Sequence, residues 1–253
     1  MPPGASPQFS VIVPFRDAEL TLPAALASLA AQTEPAWEAL LIDDASRDGS
    51  AALVRAAAAR DPRLRLLHDP AQGPARGVAA TRNLGIAAAR GAYVALLDAD
   101  DRWLPEKLAL QRRAFEGGAD IVFAAYRRID AQGRPLGIVP ARARVAWADA
   151  LAGNPIGCLT GAWRRARFPH VRMPDLPLHE DYAFWLLLLR DGAVAHGLPQ
   201  VLAEYRVQPG SASADKRRAA RAVWEILGTQ GLSWPCRSVG FLRYAVGAVA
   251  RRL

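Results

Sequence analysis

Three carboxylates close an apolar run in the segment Gly91–Trp103, GAYVALLDADDRW. Ala92–Leu97 is long enough for one buried strand, and Asp98, Asp100 and Asp101 follow it at once. Alternate side chains of an extended chain share a face, so Asp98 and Asp100 point the same way. Neighbouring carboxylates repel, and an oxygen-only pair suits a hard divalent cation, Mg2+ or Mn2+, of the kind that also holds substrate phosphates. The alternative is an acidic loop that merely ends a strand. Two more acids, Asp17 and Asp44, also stand just behind apolar runs.

The elements that must position these acids alternate. Phe9–Phe15 and Trp37–Asp44 read as apolar strands, and Leu64–Leu67 as a third. Leu22, Leu26 and Leu29 fall at helical spacing, Ser50–Arg60 is alanine-rich, and Ala75–Arg90 is helical in pattern. Strands apolar on both faces, alternating with helices, predict an α/β fold with a mostly parallel central sheet flanked by helices. Such sheets bind ligands at the carboxyl ends of their strands, so Asp17, Asp44 and Asp98 should converge on one rim. The first strand is followed by PFRDAE, without glycine, and no P-loop occurs. A nucleotide here would be held by acids and a metal rather than by a glycine-rich loop. Beyond Trp103 a helix to about Glu116, a strand at Asp120–Ile129, a turn at AQGRPLG, a loop and strand over Asn154–Arg165, a helix at Leu178–Asp191 and a strand at Gln200–Arg206 are expected. Their irregular alternation suggests a substrate-binding half appended to the first.

With 253 residues, 51% of them apolar, the chain can bury a sizeable core. Cys158 and Cys236 have no metal-ligand spacing and suggest no disulfide framework, which fits a reducing compartment. MPPGASPQ lacks the regions of a signal peptide, and no apolar run approaches a membrane span, so a cytoplasmic location is expected. The net charge of +8 is uneven: residues 215–253 carry one Lys and seven Arg against Asp215 and Glu225, a net +6. The basic character belongs to the tail, and no basic-aromatic motif marks a nucleic-acid partner.

Five stretches stand in a recognisable order: SVIVPFRDAELTLPAALASLAAQT, LIDDASRDGS, ATRNLGIAAARGAYVALLDADDRW, HEDYAFWLLLL and YRVQPGSAS. Together, over about residues 8–213, they resemble the inverting glycosyltransferases of family 2, of bacterial polysaccharide type, with the GT-A fold. The resemblance implies transfer of a sugar from a nucleoside diphosphate sugar to a hydroxyl of a glycan or lipid-linked acceptor, with a divalent metal, Mn2+ or Mg2+. It implies that Pro14, Phe15, Asp17, Asp44, Arg76, Arg82, Asn83 and Asp98 lie on the donor side, with either Arg76 or Arg82 as the nucleotide contact. Asp98 and Asp100 match the metal motif, Asp100 as the direct ligand and Asp98 closer to the ribose or behind the metal. Glu180-Asp181 matches the acceptor-side acid pair and places the general base at Asp181, with His179 as the other candidate. Arg206 and the following QPGSAS match a segment that closes over the diphosphate. The usual Pro-x-Tyr-Asn is Pro14-Phe15-Arg16-Asp17 here, and the frequent His is replaced by Gln208. The implied division is a nucleotide-sugar half at about 8–110, an acceptor half at about 111–213 and a helical tail at 214–253.

Two rivals share some of these features. A sugar-phosphate nucleotidyltransferase would want glycine near Pro14–Glu19, and a catalytically inactive sugar-nucleotide-binding protein would not need Asp100 and Asp181 intact. In the tail, winding Arg237–Leu253 at roughly 100° per residue gathers Val239, Leu242, Val246, Val249 and Leu253 within about 80° of arc. Arg237, Arg243, Arg251 and Arg252 fall opposite, with Phe241 and Tyr244. Such a helix either makes peripheral contact with the inner face of an anionic membrane through residues 215–253 or packs its apolar stripe on the catalytic domain.

Overall fold

The computed structural model describes residues 6–68, 75–208 and 215–250. Strands β1 (Phe9–Phe15) and β2 (Trp37–Asp43) are buried at every position, as continuous apolar runs require when both sheet faces are covered. With β3 (Leu64–His68) and β4 (Tyr93–Leu96) they form a parallel set in the order β3-β2-β1-β4. The crossovers carry α1 (Leu22–Ala30), α2 (Ser50–Ala58) and α3 (Val78–Ala88). Because successive side chains alternate, Ile12 joins one core layer with Leu40 and Ile86, while Val11 and Val13 join the other with Leu22 and Leu29. Helix α3 starts later than its pattern suggests, since Gly77 takes a left-handed φ of 86° that ends the preceding loop.

The second half makes the sheet mixed. It contains β5 (Arg102–Trp103), α4 (Lys107–Glu116), β6 (Ile121–Ile129), β7 (Pro135–Val139), β8 (Arg144–Val145), α5 (Trp147–Ala150), β9 (Ala162–Arg164), α6 (Glu180–Arg190) and β10 (Ala195–Arg206). The short strand β9 lies between β4 and β6, antiparallel to both, and β10 runs parallel to β6. The segment expected only to turn supplies β7 as well; its Pro135 opens a strand that pairs with β6 alone, where a missing N–H is tolerated. Strand β10 begins before the expected Gln200, and its pairing shifts register between Leu198 and Val201, around Pro199.

Two helices follow, α7 (Lys216–Gly228) and α8 (Trp234–Ala250). Helix α7 buries Val223, Ile226 and Leu227 in the same cluster as Trp163, Phe184 and Trp185. Helix α8 turns Phe241 and Tyr244 onto that cluster, and Arg237 stacks 3.9 Å over Trp224. Its other face is open: Trp234, Val239, Leu242 and Val246 are 73%, 52%, 64% and 62% exposed. The expected apolar stripe therefore faces outward among the described residues. Arg251, Arg252 and Leu253 of that pattern lie outside them, as do residues 209–213 of the QPGSAS loop. No helix among the described residues is long and apolar enough to cross a membrane.

Candidate active site

The carboxyl ends of β1, β2 and β4 open on a cavity of about 690 Å³. Pro14, Phe15, Asp17, Asp44, Asp98 and Asp100, all singled out in the sequence, line it together with Gln208. Arg76, Arg82, Asn83, Arg206 and the pair Glu180-Asp181 stand outside that lining. Three non-glycine residues among those described adopt left-handed backbone: Asp17 in the cavity lining, Ala45 beside Asp44, and His179 before α6, with φ of 48°, 64° and 60°. Such conformations cost on the order of 1–3 kcal/mol each and persist where surroundings fix them. For Asp17 the fixing contacts are visible. Its N–H donates to Ser46 Oγ at 3.1 Å, and its Oδ1 accepts from the Arg47 N–H at 2.7 Å. The loops after β1 and β2 are bolted together at the cavity's edge. Asp44, 9% exposed, accepts from the N–H groups of Arg76 at 2.7 Å and Gly77 at 3.2 Å, so it shapes the entry to α3.

At the end of β4 the three acids have different partners. Asp98 accepts from Arg82 Nη2 at 2.5 Å. Asp100 accepts from Gln208 Nε2 at 2.8 Å; burial, then the charge of Asp98, pushes its carboxyl above the usual range. Asp101 is buried and accepts from the Arg206 N–H at 2.9 Å. Burial, then Asp98 and Asp100, pushes Asp101 up well above its ordinary value, and its Oδ2 has no hydrogen-bond partner among the described residues. Arg206 spends its guanidinium on backbone: Nε donates to Asp100 O at 3.0 Å and Nη1 to Ala131 O at 2.8 Å. It frames the peptide that carries Asp100. Among the described residues no cluster of three or more metal-ligating side chains is gathered. The adjoining carboxylates Asp98 and Asp100 at the cavity, with their oxygen-only chemistry, nonetheless fit a hard divalent ion, which commonly takes one or two carboxylates and completes its shell with phosphates and water.

Glu180 and Asp181, expected on the acceptor side, divide their partners. Glu180 Oε1 accepts from Arg82 Nη1 at 2.6 Å, while Asp181 Oδ2 accepts from Asn154 Nδ2 at 2.9 Å. Burial, then the Glu180 charge, pushes the Asp181 carboxyl up to about 6, within the range useful to a base near neutrality. His179 occupies the N-cap position of α6 with no capping hydrogen bond from its side chain among the described residues, and burial lowers its pKa. Arg82 itself is buried, 4% exposed, between the two halves. Its neighbour Asn83 holds the backbone of Met173, donating to its O and accepting from its N–H, both at 2.8 Å. Asn154 was not singled out in the sequence, and Gln208 only as the residue in place of a frequent His. Both are amides in loops where no spacing rule applies.

Residues 10–161 match the family described as Glycosyl transferase family 2. The chain is 32% identical over 250 residues to TuaG of Bacillus subtilis (strain 168), a glycosyltransferase assigned to teichuronic acid biosynthesis, covering 98% of each chain. It is 30% identical over 221 residues to WfgD of Escherichia coli, a UDP-Glc:alpha-D-GlcNAc-diphosphoundecaprenol beta-1,3-glucosyltransferase, covering 87% of this chain and 85% of that one. Among solved structures, the mannosyltransferase PcManGT of Pyrobaculum calidifontis, in complex with GDP-Man and Mn2+, superposes with a TM-score of 0.71 at 21% identity, over 96% of this chain and 70% of that one. S. aureus TarS with UDP-GlcNAc gives a TM-score of 0.69 at 21% identity, over 94% and 71%.

Proposed function

Since the chain belongs to glycosyl transferase family 2 and has its GT-A fold, we propose that this enzyme transfers a sugar, with inversion, from a nucleoside diphosphate sugar to a hydroxyl of a lipid-linked glycan. Supporting the donor class are the acid-lined cavity and the UDP-GlcNAc and GDP-Man complexes of its structural neighbours. Supporting the acceptor class is the polyprenyl-diphosphate-linked substrate in the description of the E. coli relative. The observation that carries the reading is the arrangement of carboxylates. Asp98 and Asp100 stand at the cavity, and Asp181 is separately held on Asn154 at the far end of the Asp98–Arg82–Glu180 bridge.

In this reading Asp98 and Asp100 hold the divalent ion, which when bound supplies Lewis-acid stabilisation of the leaving diphosphate. The rim residues Pro14, Phe15 and Asp44 seat the nucleotide. Asp181 accepts the acceptor hydroxyl's proton as that oxygen attacks the anomeric carbon. The bond from the anomeric carbon to the diphosphate oxygen breaks with its electron pair leaving on the nucleoside diphosphate, and one displacement inverts the centre. Asn154 orients the base. The donor half is assigned to about 8–110 and the acceptor half to about 111–213. The tail at 214–253 holds the enzyme peripherally on the inner face of an anionic membrane through the outward stripe of α8. The test is Asp181→Asn in a sugar-transfer assay: turnover falls about 10²–10⁴-fold, as removal of a general base does, while nucleotide affinity is kept. Near-normal turnover in that variant, with loss in His179→Ala, moves the base to His179.

A further inference from the structure

We propose that Arg82 is a positioning residue that couples the donor-side carboxylate Asp98 to the acceptor-side pair Glu180-Asp181, so that the state of one half sets the affinity of the other. The proposal rests on the donor site described above. Its basis is one guanidinium shared between two carboxylates on different elements. Nη2 donates to Asp98 at the end of β4 at 2.5 Å, and Nη1 to Glu180 in the first turn of α6 at 2.6 Å. The two carboxylates belong to opposite sides of the reaction, and the charge between them is nearly inaccessible to solvent.

A purely structural role fits poorly. Burying an ion carries a desolvation cost that apolar residues of similar volume avoid, and Arg82 Nε has no hydrogen-bond partner among the described residues, which adds to it. The task of fixing the 171–179 segment to α3 is already done by Asn83, which clamps the Met173 backbone from both sides. What Arg82 adds is a charge divided between two acids. Neutralising Glu180 leaves the whole guanidinium charge to Asp98 and makes Asp98 a poorer partner for a cation-bound nucleotide. By reciprocity, a nucleotide that engages Asp98 returns Arg82 to Glu180 and orders the helix start that carries Asp181. Lysine at position 82 would not reproduce this, because an ammonium lacks the planar fork that reaches both acids.

The experiment is a double-mutant cycle read by calorimetry, with UDP and, separately, GDP as probes, each with Mn2+. In the otherwise native protein Glu180→Gln weakens nucleotide binding about threefold or more, a coupling of ordinary size for residues in contact. In the Arg82→Lys background the same change has no effect. Arg82→Lys lowers kcat more than it raises the donor KM. Arg63→Ala, which loses an ion pair with Asp61 and a contact over Trp37 just before β3, lowers the melting temperature but leaves nucleotide affinity and the Glu180→Gln effect intact. Equal Glu180→Gln effects in both backgrounds overturn the coupling. If Arg82→Lys does not fold, Glu180→Gln against Arg63→Ala decides: loss of affinity in the first alone supports the bridge, and no loss overturns it. If the native protein binds neither nucleotide with Mn2+, the donor site itself fails, and the coupling fails with it.

Discussion

Two carboxylates adjacent in sequence, Glu180 and Asp181, meet different surroundings because successive helical residues point about 100° apart. One neutralises a buried arginine; the other is pushed up to about 6 by burial and by its neighbour's charge. The sign for activity follows. As the proposed base, Asp181 must be ionised to accept a proton, so turnover under saturating substrate should fall as pH drops through about 6, and Asp181→Asn should lose that acid limb along with its rate. The sign for stability is opposite. The carboxyl ionises at higher pH in the fold than in the unfolded chain, so its ionisation weakens the fold above about 6 and not below about 4. Asp181→Asn therefore melts higher than the native protein at pH 8, and the gap closes as the pH is lowered to 4. An unchanged gap across that range would show that the carboxyl is not perturbed.

At the scale of elements, β4 delivers Asp98 and Asp100 to the cavity and is seated by Gly91. A Cβ there would stand 2.6 Å from the Ser10 backbone N and 2.7 Å from the Phe9 carbonyl carbon, atoms that cannot swing aside. Gly91→Ala should cost about 1–3 kcal/mol, as overpacking does, measured as a lowered urea midpoint with unchanged slope. Strands β1, β2 and β4 were legible because a strand buried on both faces is a continuous apolar run. Strands β5 and β8 were not: two residues carry no periodicity, and their pairing is decided by distant partners, as when Trp103 pairs with Ala203 and Val145 with Ala195. The same limit applied to the site. Carboxylates were legible because their chemistry is in the side chain, and four of those singled out, Asp17, Asp44, Asp98 and Asp100, line the cavity. Arg82 and Asn83, expected on the donor side, each also meet a partner 90 or more residues away. That information lies in the packing of α3 against the loop before α6, beyond the reach of a local pattern.

On the scale of the whole molecule, the two tail helices have separate tasks. Helix α7 completes the core with Val223, Ile226 and Leu227, so removing residues 215–253 should unfold the protein rather than free a soluble domain. Helix α8 can be tested without truncation. The full chain should sediment with vesicles containing anionic lipid at low salt, each basic residue near the surface contributing on the order of 1 kcal/mol. Val239→Gln, Leu242→Gln and Val246→Gln together should abolish sedimentation and leave melting and nucleotide binding unchanged; retained sedimentation would assign the binding elsewhere. The position of β9 has a consequence for how the chain reaches its native state. β4, complete at Leu96, borders β9, whose first residue is Ala162. During synthesis the parallel set can assemble early, but one edge of it waits, open, for tens of residues. Closing so late a pairing is slow, because loop entropy is lost before contacts reward it, and a bare edge invites other chains meanwhile. Nascent protein held just short of Ala162 should therefore be the species that chaperones engage most.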